Sequence, residues 1–158
     1  MRSFEFAVLD WIQANLRSPA MDVLMPAITA LGNSVLVWIV LAGILILMPK
    51  HRTIGIAVMT GLLLEVVCCN LVLKPLVARI LPCDVNTAVV LLIARPDDFS
   101  FSSGHTGASF SAVASLYFSR SKFWIPALIL AVLIAFSRLY LYVHYPTDIL
   151  AGMLLGVM

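Results

Sequence analysis

The chain has 158 residues, of which 62% are hydrophobic and only 11% are charged, and its mean hydropathy is +1.05. Soluble domains have about 25% charged residues, so this composition indicates an integral membrane protein. The apolar runs are continuous and do not alternate with polar residues, which predicts an all-α, polytopic transmembrane helical bundle. The formal charge of +2 is too small to indicate a nucleic-acid partner.

The first 17 residues are expected to form an amphipathic helix that lies at the membrane interface. Apolar residues recur there at helical spacing, at Phe4, Val8, Trp11 and Ile12. The run ends at Arg17-Ser18-Pro19. Residues 20–48 are predicted to form a broken hairpin or a kinked span, because Gly32-Asn33 interrupts their apolar run.

The remaining sequence predicts four helices and one long polar loop. Residues 53–73 are long enough to span a bilayer, which needs about 20 apolar residues. Residues 82–103 form the predicted loop, and further helices are expected over 104–119, 123–143 and 146–158. The last would rise roughly 20 Å, short of the roughly 30 Å hydrocarbon core, so it is expected to be truncated. We therefore expect about five to six membrane helices in a single domain, 1–158, with a catalytic core over 53–158.

Charge predicts the orientation of this multi-pass chain in the cell membrane. Two short basic turns, Lys50-His51-Arg52 and Arg120-Ser121-Lys122, fall at one face if the spans alternate, and the positive-inside rule places that face in the cytoplasm. Polar residues from three separate segments then meet at the extracytoplasmic face: Lys74, Arg79, Ser103, His105, Arg138, His144 and Asp148. Ionisable residues near lipid are costly, so this convergence indicates a functional site.

The first polar island is Ser102-Ser103-Gly104-His105, at the start of an apolar helix. A serine before a helix is a common N-cap, and the free backbone N–H groups that follow it attract anions. Gly104 would let a phosphate approach the backbone, and His105 would lie in the first turn beside it. The alternative is a capped helix start with an interfacial histidine.

The second island runs from Ser137 to Asp148. Ser137 and His144 are seven residues apart, so on a helix they would share a face, and Arg138 offers a planar fork of donors to a phosphate. Pro146 begins the next helix and places Asp148 in its first turn. The Asp148 carboxylate is expected to accept a hydrogen bond from one ring nitrogen of His144, which leaves the other as a nucleophile. The alternative is an Arg–Asp interfacial pair beside a snorkelling histidine.

The cysteines predict neither a disulfide framework nor a metal site. Cys68 and Cys69 are adjacent within an apolar run, and Cys83 stands alone. No Cys/His spacing is typical of zinc. Neither a metal ion nor a cofactor is expected.

Both islands, with an earlier segment, resemble the motifs of the type 2 phosphatidic acid phosphatase superfamily of membrane lipid phosphatases. Those motifs are Lys-x6-Arg-Pro, Pro-Ser-Gly-His and Ser-Arg-x5-His-x3-Asp. The third is complete as Ser137-Arg138-x5-His144-x3-Asp148, the second reads Ser102-Ser103-Gly104-His105, and the first reads Lys74-x6-Leu81-Pro82. The resemblance covers roughly residues 50–158.

The resemblance implies a role for each motif residue. His144 would attack phosphorus and form a phosphohistidine, Asp148 would support it, and His105 would protonate the leaving oxygen and then activate water. Residues implied to hold the phosphate are Lys74, Arg79, Ser103, Gly104 and Arg138.

Two positions depart from the motifs. Leu81 replaces an arginine, and losing one donor to a transition-state oxyanion typically costs about 10²–10³ in rate. Arg79 is two residues away and would substitute only if the backbone there is not helical. Ser102 replaces a proline, which is a milder change because serine can cap the helix.

The predicted function is hydrolysis of a lipid phosphomonoester or diphosphate, of the undecaprenyl diphosphate or phosphatidylglycerophosphate type, with membrane lipids as the other partners. Phosphatidic acid is a further candidate, and the oligomeric state is left open. One alternative is an impaired or non-enzymatic lipid-binding relative, disabled by Leu81. Another is a channel or transporter whose polar residues line a path. The soluble vanadium haloperoxidases share similar motifs, but the continuous apolar spans argue against them.

Overall fold

The structure is a computed structural model that describes residues 2–158, except for the side chains of Arg2, Ser3 and Ser34. The described residues form helices joined by turns and loops, with no strand among them, which confirms the predicted all-α class. The α-helices are α1 (Arg2–Asn15), α2 (Pro19–Leu31), α3 (Leu36–Leu47), α4 (Arg52–Val66), α5 (Lys74–Val77), α6 (Pro82–Val85), α7 (Gly104–Phe118), α8 (Trp124–Tyr140) and α9 (Pro146–Val157). Two short 3₁₀ turns, Asn33–Val35 and Pro49–His51, precede α3 and α4.

A π-helical segment, Val67–Leu73, joins α4 to α5 without a break. The stretch Pro49–Val85, in which residues 78–81 separate α5 from α6, is the one in the described chain that is long and apolar enough to cross a bilayer by itself. The predicted span at 53–73 is therefore part of a longer element. The helices α8 and α9 are apolar but shorter, so the count of five to six membrane helices stays a prediction.

The interruption predicted at Gly32-Asn33 is confirmed. The helices α2 and α3 meet there at 48° and together are long and apolar enough to cross a membrane. Close packing requires a glycine at position 32, because a Cβ there would lie 2.8 Å from Cδ2 of His105. The bend therefore sits directly against one of the predicted catalytic histidines.

The helix α7 is the centre of the bundle and packs against α4, α8 and α9. Its small residues let neighbouring backbones approach closely, as in other membrane helix pairs. Across the α7–α9 contact, a Cβ at Gly152 would lie 2.8 Å from the carbonyl oxygen of Ser103. A larger side chain, Trp38 of α3, fills the core and donates its indole N–H to Ser109 Oγ at 3.0 Å.

The two basic turns lie at the same end of the bundle. The ring of His51, between α3 and α4, is 6.4 Å from the ring of Phe123, between α7 and α8. The start of α7 and the start of α9 lie together at the other end, where Ser103 N donates to the Asp148 carbonyl at 3.2 Å.

Replacing Gly152 by alanine should destabilise the fold. The new methyl group would meet backbone, which cannot rotate away, and overpacking of this kind costs about 1–3 kcal/mol. The matched control is Gly43→Ala in α3, where a Cβ would meet nothing within 4 Å. Thermal unfolding in detergent should show a lower Tm for Gly152→Ala and an unchanged or higher Tm for Gly43→Ala; equal Tm values would contradict the α7–α9 contact.

Candidate active site

His144 lies in the turn between α8 and α9 and is 5% exposed. Its Nδ1 is 2.8 Å from the carbonyl oxygen of Ser100. A carbonyl can only accept, so Nδ1 carries the proton and Nε2 keeps its lone pair. Burial lowers the pKa of His144, opposed by the interaction with Asp148, so the ring stays neutral below its ordinary range. The result is a neutral imidazole with an unprotonated Nε2.

The expected hydrogen bond from His144 to Asp148 is replaced by the bond to Ser100. The Asp148 carboxylate is 3.7 Å from Nδ1, too far for a hydrogen bond. Its oxygens are already engaged, because they accept from Tyr145 N at 2.9 Å, from Ser100 Oγ, and from Arg79 Nη1 at 2.6 Å. Asp148 is fully buried and acts on His144 through charge.

The predicted shared helical face of Ser137 and His144 is wrong, because α8 ends at Tyr140. Ser137 Oγ instead donates to the carbonyl of Ile134 at 2.7 Å within the helix. The turn that follows, with Tyr142 at a φ of 60°, carries His144 away from the axis of α8. Chain reversal, not helical periodicity, brings His144 to the site.

Lys74 is the first residue of α5 and is 8% exposed. It follows directly after the π-helical segment, and such segments recur at functional sites. Its Nζ lies 3.9 Å from where a Cβ on Gly104 would be, which places it at the start of α7. Its partner is the carboxylate of Asp98, a residue that sequence patterns predict as solvated loop.

Arg79 follows Ala78, whose φ of 45° ends α5 and turns the chain out of helical geometry. The guanidinium reaches Asp148 and Glu5, both at 2.6 Å, so its predicted phosphate-binding groups are occupied by carboxylates. Leu81 is 2% exposed, in an apolar cluster with Tyr140 and Val143. In this structure the guanidinium of Arg79 is committed to two carboxylates, and its predicted role in holding phosphate stays a prediction.

Two predicted residues contact the bend between α2 and α3. Arg138 is buried and donates from Nη1 to Thr29 Oγ1 at 2.9 Å, while its Nε has no partner within residues 2–158. His105 Nε2 is 3.0 Å from Asn33 Oδ1. Ser103 caps α7, accepting from Thr106 N at 3.5 Å.

Four residues of the site were not predicted from the sequence: Glu5, Asn33, Asp98 and Ser100. Of these, Glu5 had a signal, because it is four and seven residues before Leu9 and Ile12 and so shares their buried helical face. A main-chain carbonyl such as that of Ser100 cannot be recognised from the sequence, because every residue has one. Within the described part of the chain, no cluster of His, Cys, Asp and Glu is arranged to hold a metal ion.

A cavity of about 410 Å³ lies beside the Lys74–Asp98 pair, lined by residues 79–81, 84, 95 and 97–99. Arg95 anchors its wall through two bonds to Asp84, at 2.6 and 2.7 Å. Asp98, the partner of Lys74, and Arg79 both line this cavity.

Comparison with known proteins identifies the family. The family model of the PAP2 superfamily matches residues 52–158, more than half of the chain. The chain belongs to the PAP2 superfamily. This PAP2 chain is 36% identical over 121 residues to an undecaprenyl-diphosphatase of Sulfolobus acidocaldarius, covering 76% of the chain and 58% of that protein. It is 30% identical over 155 residues to a lipid A 4'-phosphatase of Bacteroides thetaiotaomicron, covering 89% of the chain and 67% of that protein.

Two solved structures share the fold over nearly the whole chain. One is a transmembrane PAP2-type phosphatidylglycerolphosphate phosphatase from Bacillus subtilis, with a TM-score of 0.80 and 29% identity over 99% of this chain and 80% of that one. The other is Aquifex aeolicus LpxE, with a TM-score of 0.82 and 26% identity over 98% and 90% of the two chains. The similarity therefore includes α1 to α3, which precede the residues matched by the family model.

Replacing Asp98 by asparagine should lower the KM for a lipid phosphate. If Lys74 holds the substrate phosphate, as the sequence predicts, the phosphate displaces the Asp98 carboxylate from it, and a half-exposed ion pair of this kind is worth about 0–1 kcal/mol, or up to about fivefold in KM. The matched control is Asp97→Asn, whose carboxylate is 99% exposed and contacts Arg95 at 3.6 Å. Initial rates across substrate concentration measure both; a KM that rises in Asp98→Asn would contradict the competition.

Proposed function

We propose that this PAP2 protein hydrolyses a phosphorylated membrane lipid through a phosphohistidine on His144. The observation that carries the proposal is the bond from His144 Nδ1–H to the Ser100 carbonyl, which fixes the tautomer and leaves Nε2 unprotonated. The named activities of the relatives, on undecaprenyl diphosphate, lipid A and phosphatidylglycerol phosphate, support a lipid phosphomonoester or diphosphate as the substrate class.

The first half-reaction transfers the phosphoryl group to the enzyme. His144 Nε2 attacks phosphorus, the phosphorus–oxygen bond to the lipid breaks, and protonated His105 gives its proton to the leaving oxygen. Lys74 and Arg138 supply the positive charge that phosphoryl transfer needs, together with the free N–H groups at the start of α7. The unpartnered Nε of Arg138 is a donor that a phosphate oxygen would satisfy.

The second half-reaction releases inorganic phosphate. Neutral His105 takes a proton from water as the water oxygen attacks phosphorus, and the phosphorus–nitrogen bond breaks. His144 returns to its neutral form and His105 to its protonated form. The bond from His105 Nε2 to Asn33 Oδ1 would hold the ring in place through both steps.

The membrane orientation is part of the proposal. The two basic turns lie together at one end of the bundle, and the positive-inside rule places that end in the cytoplasm. The site at the opposite end would then face the outside of the cell membrane, where the lipid head group enters from the outer leaflet.

His144→Ala should abolish hydrolysis, with a loss of at least about 10³-fold in kcat, because no other group replaces the nucleophile. The measurement is phosphate release from a panel of undecaprenyl diphosphate, phosphatidylglycerophosphate, phosphatidic acid and lipid A, with trapping of the phosphoenzyme in alkali, because acid hydrolyses the phosphorus–nitrogen bond of phosphohistidine. His51→Ala, at the opposite end of the bundle, is the control. Hydrolysis by His144→Ala at the parent rate would rule out the mechanism, and flux without phosphate release would favour a channel.

Leu81→Arg tests the alternative of an impaired relative. Restoring the motif arginine would raise activity if a missing cation limits the rate. The structure predicts the opposite, because Leu81 is 2% exposed in an apolar cluster and an unpaired buried charge there costs about 3–5 kcal/mol. We expect a lower Tm and no gain in kcat; a stable variant with tenfold higher kcat would support the impaired relative.

A further inference from the structure

Helix α1 precedes the residues matched by the PAP2 family model, yet one of its side chains reaches the catalytic site. Glu5 is 4% exposed and lies on the buried face of α1 with Leu9 and Ile12. One carboxylate oxygen accepts from Arg79 Nη2 at 2.6 Å, and the other accepts from Thr147 Oγ1. A buried acid on an interfacial helix needs a reason beyond anchoring.

Arg79 is shared between two carboxylates. Its Nη1 donates to Asp148 at 2.6 Å and to Thr147 Oγ1 at 2.7 Å, while Nη2 donates to Glu5. Its guanidinium carbon lies 3.8 Å from the centre of the Tyr145 ring. These contacts come from four parts of the chain, namely α1, the link after α5, the turn before α9, and α9 itself.

The charges of this cluster do not cancel. Two carboxylates and one guanidinium leave one net negative charge, and Asp148 places it 3.7 Å from Nδ1 of His144. When Nε2 bonds to phosphorus while Nδ1 keeps its proton, the imidazole ring becomes a cation. The cluster and the ring together are then neutral, so the excess negative charge stabilises the phosphorylated state relative to the free one.

We propose that Glu5 is a positioning residue for the nucleophile His144. Glu5 offsets part of the positive charge of Arg79, so the cluster around Asp148 keeps a net negative charge that favours a cationic His144. The inference rests on the phosphohistidine mechanism proposed above. It makes α1 part of the electrostatics of the reaction.

Other charged groups also act on His144, and they stay constant in the test. Arg138 from α8 opposes a cationic ring, and His105 from α7 and Lys74 from α5 lie at the same site, with Asp98 paired to Lys74. Removing the negative charge of Glu5 makes a cationic His144 less favourable. The pKa of His144 then falls. The acid limb of the rate profile, where kcat/KM declines at low pH because His144 becomes protonated, therefore moves to lower pH, and phosphoryl transfer slows.

The experiment follows the net charge of the cluster through four proteins. Glu5→Gln brings the charge to zero, Arg79→Gln brings it to minus two, and Glu5→Gln with Arg79→Gln restores minus one. Asp10→Asn is the matched control, since Asp10 lies on the same helix and its carboxylate accepts a hydrogen bond from Tyr142 at 2.7 Å. The profile of kcat/KM against pH is measured with one lipid phosphate, so the ionisation of the substrate is the same throughout.

Glu5→Gln should lower kcat about tenfold, with KM within twofold of the parent, and move the acid limb down by about one pH unit. Arg79→Gln should move the limb up by a similar amount, the double variant should return it to the parent position, and Asp10→Asn should leave it unchanged. Because the two single variants shift in opposite directions, either one tests the idea if the other fails to fold.

An acid limb that does not move, or that moves in the same direction in both single variants, overturns the role of Glu5. That outcome is distinct from failure of the mechanism itself. If the parent forms no phosphoenzyme or His144→Ala is active, the proposed function fails; if the parent forms it and Glu5→Gln keeps the parent profile, only this inference fails.

Discussion

The buried carboxylate of Asp148 is the interaction on which the rest of the site depends. A fully buried charge must be compensated, and this one accepts from the backbone of Tyr145, from Ser100 and from Arg79. Through these partners it ties α9 to the loop before α7 and to the link after α5. The main chain of Asp148 also joins α9 to the start of α7, because Ser103 N donates to its carbonyl oxygen at 3.2 Å.

The motif suggests that Asp148 alone both orients His144 and supports its charge. In the structure, these two roles belong to different groups. The Ser100 carbonyl orients the ring of His144, and Asp148 provides charge without a hydrogen bond to it. A neutral acceptor at Nδ1 fixes the tautomer, while a carboxylate at 3.7 Å would support the positive ring of the proposed phosphohistidine. The orientation of the His144 ring and the charge around it can therefore vary independently in this family member. In the proposal above, Glu5 and Arg79 act on the charge.

Local sequence signals predicted the helical class, the bend at Gly32-Asn33 and the family, because hydrophobic runs and ordered motifs are encoded over short distances. They misplaced the end of α8, since Tyr142 at a positive φ reverses the chain without a glycine or proline to mark it. They also missed Glu5 and Ser100, whose partners lie 74 and 44 residues away. Arg79 was predicted as a site residue, but its partner Glu5 is brought to it by the packing of α1. The family motifs do not include α1.

The Lys74–Asp98 pair has a consequence for how the protein responds to its ionic surroundings. A phosphate that enters the site replaces one carboxylate on Lys74, so anion is exchanged for anion and the local charge changes little. Phosphate binding to unpaired cationic side chains would weaken steeply as the salt concentration rises. When phosphate replaces a carboxylate, salt screens the ion pair that is lost as well as the ion pair that is formed. A lipid head group should therefore be held nearly as well at high ionic strength as at low.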